Sequence, residues 1–80
     1  MLKLVDGVSV NGKTFPADCL TITQDFLASD IPVFDAMEKA IYTLKAKYYY
    51  QYSLNDLTLF VQDIFSGIQP SVVPIYIEER

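Results

Sequence analysis

The spacing of apolar residues changes along this chain, and that change limits the possible folds more than any other feature. Near the start, Val8 and Val10 flank the polar Ser9, and such alternation is typical of a strand. From about residue 32, apolar residues recur every three or four positions, which is the period of an amphipathic helix. The change predicts an α+β fold with strands and helices in separate layers.

A hairpin is predicted within the first strand-like region. Asn11 and Gly12 form the strongest short hairpin signal, because both positions of this turn need a positive φ. Asp6 and Gly7 are a second possible turn, which could close its own hairpin or mark a bulge in one long first strand. We favour the bulge, since two adjacent turns would leave very short strands.

A third strand is predicted after Pro16, where the segment CLTIT alternates again. Leu20 and Ile22 would then lie on one face, with Thr21 and Thr23 on the other.

The first predicted helix runs from about residue 32 to residue 50, with Ser29 or Asp30 as its cap and Pro32 near its first turn. Its apolar residues step by three and four, which predicts one core-facing stripe. The stripe comprises Phe34, Met37, Ile41, Leu44 and Tyr48.

A second helix is predicted to begin at Ser53, which forms a capping box with Asp56. Its apolar face is broad, and Gly67 is placed to end it. The face comprises Leu57, Phe60, Val61, Ile64, Phe65 and Ile68. Because the linker is short, the two helices are predicted to form a helical hairpin.

The last segment, SVVPIYIE, predicts a strand with Val73, Ile75 and Ile77 facing inward. Pro74 has no N–H to donate, so this strand is predicted to lie at a sheet edge. The complete prediction is one α+β domain over residues 1–80, with the order β-β-β-α-α-β. Its sheet is small and mostly antiparallel, and the helical hairpin packs on one face.

The amount of apolar side chain predicts a partner. Hydrophobic residues make up 51% of these 80 residues, whereas a chain this short buries only about 60% of its unfolded surface. Either the protein self-associates, or it keeps an apolar patch for another molecule. We expect a two-fold homodimer, for which the edge strand at residues 72–78 is a candidate pairing element.

Most catalytic chemistry is excluded by residue type. The chain has no histidine, and its only cysteine, Cys19, is expected to be a small core residue. Asp35 and Glu38 form the last candidate carboxylate pair, but at a helix start they compensate the dipole. We therefore expect no enzyme, no cofactor and no metal site.

Charge and hydropathy restrict the partner further. Ten acidic residues against six basic ones give a net charge of −4, which argues against nucleic-acid binding and suits a basic partner. The apolar runs are too short to cross a membrane, and the N-terminus MLKLVDGVSV is unlike a secretory signal. A cytoplasmic location is expected.

The segment YYYQYS, residues 48–53, contains more rings than one core can take. Successive helical residues point about 100° apart, so Tyr48 is predicted to enter the core and its neighbours to face outward. We predict a partner-binding surface of Tyr42, Tyr49 and Tyr50, with Glu38 as its acidic residue, because tyrosine is enriched at interface hot spots.

Three functions fit these features. The first is a small acidic protein-binding factor: an inhibitor, an immunity-like or anti-defence factor, or an adaptor. The second is a small-molecule binder with an aromatic-lined pocket for an apolar or cationic ligand. The third is a homo-oligomeric structural subunit. Small domains of this element order occur among phage and mobile-element proteins, which is an analogy of fold alone.

Overall fold

Three antiparallel strands and three helices form the described part of the protein. The computed structural model describes residues 1–78, and its chain order is β-β-α-α-α-β. The strands are β1 (Leu2–Val10), β2 (Lys13–Pro16) and β3 (Ser71–Glu78), and the helices are α1 (Ala17–Leu27), α2 (Val33–Tyr48) and α3 (Leu54–Phe65). The helices pack against the sheet, which confirms the α+β class.

The core lies between one face of β1 and β2 and the three helices. Val8, Val10 and Phe15 supply its sheet side and are each at most 4% exposed. The Phe15 ring packs on Phe60 of α3, with 4.5 Å between ring centroids. Burial of such large apolar side chains is the main force holding the two layers together.

The β1–β2 hairpin is confirmed. Asn11 and Gly12 have φ values of 52° and 81°, and Val10 pairs with Lys13 across the turn. The long first strand is also confirmed, but the bulge predicted at Asp6 and Gly7 is wrong. Strand β1 pairs without interruption with both neighbours, so no extra residue is inserted.

The predicted third strand is wrong, because this segment is helix α1. Cys19 and Thr23, four residues apart, are both 0% exposed, which is the spacing of one helix face. The Thr23 hydroxyl donates to the Cys19 carbonyl oxygen at 2.7 Å. Thr23 was predicted to share a strand face with Thr21; instead it lies in the core, where this bond satisfies its hydroxyl.

Helix α2 confirms the first predicted helix, although its buried line is shifted. The buried residues are Ala36, Ala40, Leu44 and Tyr48, spaced by four. Phe34, predicted to face the core, is 84% exposed. The predicted cap at Ser29 or Asp30 is wrong as well, since Pro32 occupies the capping position without a side-chain hydrogen bond.

Helix α3 begins and ends as predicted. The Ser53 Oγ accepts a hydrogen bond from the Asp56 N–H at 3.1 Å, and Gly67 follows the helix with a φ of 91°. Leu57, Phe60, Val61 and Ile64 are buried, whereas Ile68 is exposed. Helix α3 packs against α2 as the predicted helical hairpin, and α1 adds a third helix beside α2.

Strand β3 lies at one edge of the sheet, whose order is β2-β1-β3. Ile75 is buried and faces the same side as the half-buried Val73 and Ile77. The edge position confirms what Pro74 predicts. At its far end the Glu78 N–H donates to the Gln51 side-chain oxygen at 3.1 Å, so this outward-pointing donor is already satisfied.

Candidate functional site

An open groove runs between α2 and α3 on the surface away from the buried line of α2. We call it the helix groove; its volume is about 320 Å³. Its walls are Phe34, Met37, Glu38, Ile41 and Tyr42 from α2, and Leu54, Thr58 and Gln62 from α3. The two helices are joined by only residues 49–53, so they run antiparallel and the groove follows both axes.

The spacing of small residues on α2 explains why the groove exists. Ala36 and Ala40 bring the N-terminal half of α2 close to the core. The larger Phe34 and Tyr42 then project outward, with exposed fractions of 84% and 62%. An apolar surface that carries two exposed rings is a candidate contact site.

Among the side chains that line the helix groove, only Glu38 is charged at neutral pH. One turn beyond the groove on α2, the half-buried Lys45 donates to the Tyr52 carbonyl oxygen at 3.4 Å. Thus the outer face of α2 presents an acid toward its N-terminal part and a base toward its C-terminal part.

A second concave surface, the tyrosine cleft, lies at the C-terminal end of α2. Its volume is about 370 Å³. The lining comprises Lys3, Lys47, Tyr48, Tyr49, Tyr50, Ile77 and Glu78. The rings of Tyr49 and Tyr50 meet edge to face, with 5.7 Å between centroids. Lys3 and Glu78 bring opposite charges to the cleft, and Lys47 is paired with Asp18, so charge does not favour the cationic ligand that the sequence suggested.

Beside the tyrosine cleft, the exposed Asp18 and Lys47 meet the buried ring of Tyr48. Asp18 forms an ion pair with Lys47 and accepts a hydrogen bond from the Tyr48 hydroxyl at 3.4 Å. Burial, with the nearby Cys19 and Asp18, raises the pKa of Tyr48 above its usual range. Burial also raises the pKa of the Cys19 thiol to about 12, so the thiol stays protonated and is a poor nucleophile.

Tyr52, the fourth tyrosine of residues 48–53, has a structural role. Its hydroxyl donates to the Thr14 carbonyl oxygen at 2.9 Å, and its ring stacks on Phe15 with 4.9 Å between centroids. Burial raises its pKa to about 12. It therefore ties the turn before α3 to the β1–β2 hairpin.

The structure distributes the predicted site residues over two places. Glu38 and Tyr42 line the helix groove, whereas Tyr49 and Tyr50 line the tyrosine cleft. Tyr49 is 59% exposed, but Tyr50 packs against the core, since the helix ends before it and its side chain no longer follows the helical direction.

Phe34 is the site residue that sequence reasoning missed. Its spacing from Met37 and Ile41 fitted a core stripe, so it was predicted to be buried. The signal that could have found it is the series Ala36, Ala40, Leu44 and Tyr48, an equally regular line that places Phe34 outside the core.

A third apolar surface lies on the sheet. Leu2, Leu4, Val72 and Tyr76 share one face by strand register and are 56–82% exposed. They continue the face of Val8 beyond the area that the helices cover. The adjoining β3 edge lacks one donor at Pro74, and Gln51 occupies another at Glu78, so addition of a strand there is disfavoured.

Other kinds of site are not found in the part of the chain that the structure describes. Residues 1–78 contain no group of three or more potential metal-ligating side chains. No helix among them is long and apolar enough to span a membrane. Every buried side-chain nitrogen or oxygen in this range has a hydrogen-bond partner.

We also compared the chain with known proteins. No family model, curated protein or solved structure matches it. Its function must therefore be argued from its own surfaces.

Proposed function

We propose that this chain is a non-enzymatic protein-binding factor whose contact surface is the helix groove. The observation that carries the proposal is the pair of exposed rings, Phe34 at 84% and Tyr42 at 62%, on the rim of one apolar groove. Large rings that are exposed in the free protein and buried on binding supply most of the energy at many interfaces.

The shape of the groove favours a helical occupant. Phe34 and Tyr42 are eight residues apart, which is about 12 Å along α2, or two helical turns. Grooves of this length between paired helices accept the apolar face of an amphipathic helix. Glu38, between the two rings, favours a Lys or Arg on that helix.

The charge and size suggest the biological class. A net charge of −4 on 80 residues suits a small acidic inhibitor, an immunity-like or anti-defence factor, or an adaptor that meets a basic protein. The same charge disfavours direct binding to nucleic acid. We propose a cytoplasmic location, with the single thiol kept reduced there.

The tyrosine cleft supports a second candidate function, which is small-molecule binding. A volume of about 370 Å³ with three tyrosines in its lining suits a ring-containing ligand. Because Lys3 is balanced by Glu78 and Lys47 is paired with Asp18, charge selects neither an anionic nor a cationic ligand.

A matched set of variants tests the proposed function. Phe34→Ala and Tyr42→Ala change the helix groove. Val72→Ala and Tyr76→Ala remove side chains that are 82% and 63% exposed on the sheet face, which are close matches. Each variant is used to capture partners from a lysate, and each recovered protein is then purified and measured by calorimetry.

We expect the two groove variants to weaken binding about tenfold or more, as hot-spot truncations do. The two sheet variants should bind like the wild-type protein. Loss of binding only in the sheet variants would move the contact surface to β1 and β3. Normal binding by all four variants would contradict the proposal that the helix groove is the contact surface.

A further inference from the structure

Four residues of α2, with Tyr49 directly after its last residue, form one outward line along the helix. On a regular helix with about 100° between residues, all five lie within about 30–50° of one direction. They are Phe34, Glu38, Tyr42, Lys45 and Tyr49. Four of them are exposed and Lys45 is half-buried. We call this series the α2 line; from Phe34 to Tyr49 it is about 22 Å long.

The order of residues on the α2 line is self-complementary. A two-fold axis that passes between residues 41 and 42 places Lys45 of a second copy opposite Glu38. The same rotation places Tyr49 of the second copy opposite Phe34, and Ile41 of the second copy opposite Tyr42. Each acid thus meets a base and each ring meets an apolar side chain, as a two-fold interface requires.

We propose that the occupant of the helix groove is a second copy of this chain, with the two α2 helices antiparallel about a two-fold axis at residues 41 and 42. This inference rests on the proposed function, because it takes the groove to be a protein contact surface and names what fills it. The reciprocal Glu38–Lys45 pairs set the antiparallel orientation.

The alternative arrangements are less favourable. In a parallel pair of α2 helices, Glu38 would meet Glu38 of the second copy and the two lysines would also meet, which is repulsive at both positions. Pairing through residues 72–78, expected from sequence, would lose hydrogen bonds at Pro74 and at the Glu78 N–H that Gln51 already accepts.

The area is sufficient for a dimer of modest affinity. A buried aromatic side chain covers about 150–250 Å². With exposed fractions of 84%, 62% and 59%, the three rings of the line offer roughly 400 Å² per copy. Further area comes from Ile41, Leu54 and the stem of Lys45. The total buried by both copies is then about 1,200 Å², which is the lower end of the range for specific interfaces.

The sharpest test uses two variants, each with one charge reversed, measured alone and as a mixture. Sedimentation velocity is measured for the wild-type protein, for Glu38→Lys, for Lys45→Glu and for an equimolar mixture of the two variants. Each variant alone places like charges opposite one another at both positions, so we expect dimerisation about tenfold weaker or more. In the mixture both pairs are again opposite in sign, so a heterodimer should form with wild-type strength.

Two controls match these changes in net charge. Asp25→Lys on α1 and Lys39→Glu on α2 lie off the α2 line and should leave dimerisation unchanged. Circular dichroism establishes that each variant is folded. Since the stem of Lys45 is half-buried, Lys45→Gln is a second variant, which removes the charge, keeps most of the stem and should still weaken the dimer.

The outcomes separate this inference from the proposed function. A wild-type protein that stays monomeric up to high micromolar concentration overturns the dimer, while the groove variants still test binding to other proteins. A dimer lost in Phe34→Ala but unchanged in both charge variants and in Lys45→Gln keeps the groove as a contact and overturns the antiparallel pairing. A dimer unchanged in Phe34→Ala as well overturns the inference and removes support from the groove.

Discussion

Gly7 and Ile75 lie so close together that no side chain fits between them. A Cβ atom at residue 7 would lie 2.7 Å from Ile75 Cγ1 and 2.9 Å from the Phe15 carbonyl oxygen. Gly7 sits in the central strand between its pairing partners Pro16 and Val73. The glycine, predicted to mark a bulge, instead leaves space beside the central strand that the Ile75 side chain occupies.

Gly7→Ala should therefore destabilise the protein by about 1–3 kcal/mol, as other overpacking changes do. Denaturant unfolding measures this loss. Adding Ile75→Ala to Gly7→Ala tests the cause, because the second change removes both contacts with Ile75 and leaves only the contact with Phe15. If Gly7→Ala costs as much in the Ile75→Ala background as in the wild type, the Ile75 contact is not responsible.

At Gly12 the backbone conformation restricts substitution, whereas neighbouring atoms do not. Its φ is 81°, and an added Cβ would meet nothing within 4 Å. Gly12→Val should cost about 1 kcal/mol or more, because a β-branched residue is strained at positive φ. Gly12→Asn should cost less, since asparagine tolerates this conformation. Equal midpoints for the wild type and Gly12→Val would contradict the turn geometry.

The start of α3 should depend on the Ser53 cap. The Ser53 Oγ accepts from the Asp56 N–H at 3.1 Å, so Ser53→Ala should cost about 1 kcal/mol of unfolding free energy. Ser66→Ala is a matched control, because the Ser66 hydroxyl only donates to the Gln62 carbonyl oxygen within its own helix end. Equal losses in the two variants would argue against a specific cap.

Asp56 should make stability depend on acid pH. Its carboxylate lies 2.5 Å from the Lys13 ammonium, and hydrogen bonds from Lys13 and Ser53 lower its pKa. A lowered folded-state pKa stabilises the protein above the unfolded value, and this contribution is lost as pH falls through the folded value. We expect the loss to begin as the pH falls toward the ordinary aspartate pKa of 3.8 and to be complete below the lowered folded-state pKa.

Asp56→Asn should flatten that part of the pH profile in denaturant unfolding, and Lys13→Met should reduce it. Because the pair is exposed to solvent, the effect should also weaken with added salt. A profile identical in wild type and Asp56→Asn would show that another carboxylate is responsible.

Tyr48 and Tyr49 should differ in stability although they are neighbours. Tyr48 is 5% exposed and Tyr49 is 59% exposed. Tyr48→Ala should cost about 3–5 kcal/mol, as truncations of buried aromatic rings do. Tyr49→Ala should stay within about 1 kcal/mol of the wild type at a concentration where the protein is monomeric. Thermal melting of both variants measures the difference, and similar melting temperatures would contradict the predicted burial of Tyr48.

Elements that carry a local chemical signal can be predicted from the sequence alone. Asn11 and Gly12 adopt the positive φ values that the turn requires, and Ser53 caps α3 because its hydroxyl meets an N–H three residues away. Pro74 marks an edge strand, since a residue without an N–H cannot pair on both sides. These outcomes depend on few neighbours, so a short segment is enough to predict them.

Tertiary structure decided the elements whose local signals conflict. Leu20 to Thr23 alternate like a strand, but placing Cys19 and Thr23 together in the core requires a helix, and burial outweighs a weak β propensity. Two regular apolar lines compete on α2, and contact with the core selects the one containing Ala36 and Ala40. Phe34 is thereby exposed beside Glu38 and Tyr42, while Tyr50 turns toward the core. The helix groove therefore arises from packing, which no single segment of the sequence specifies.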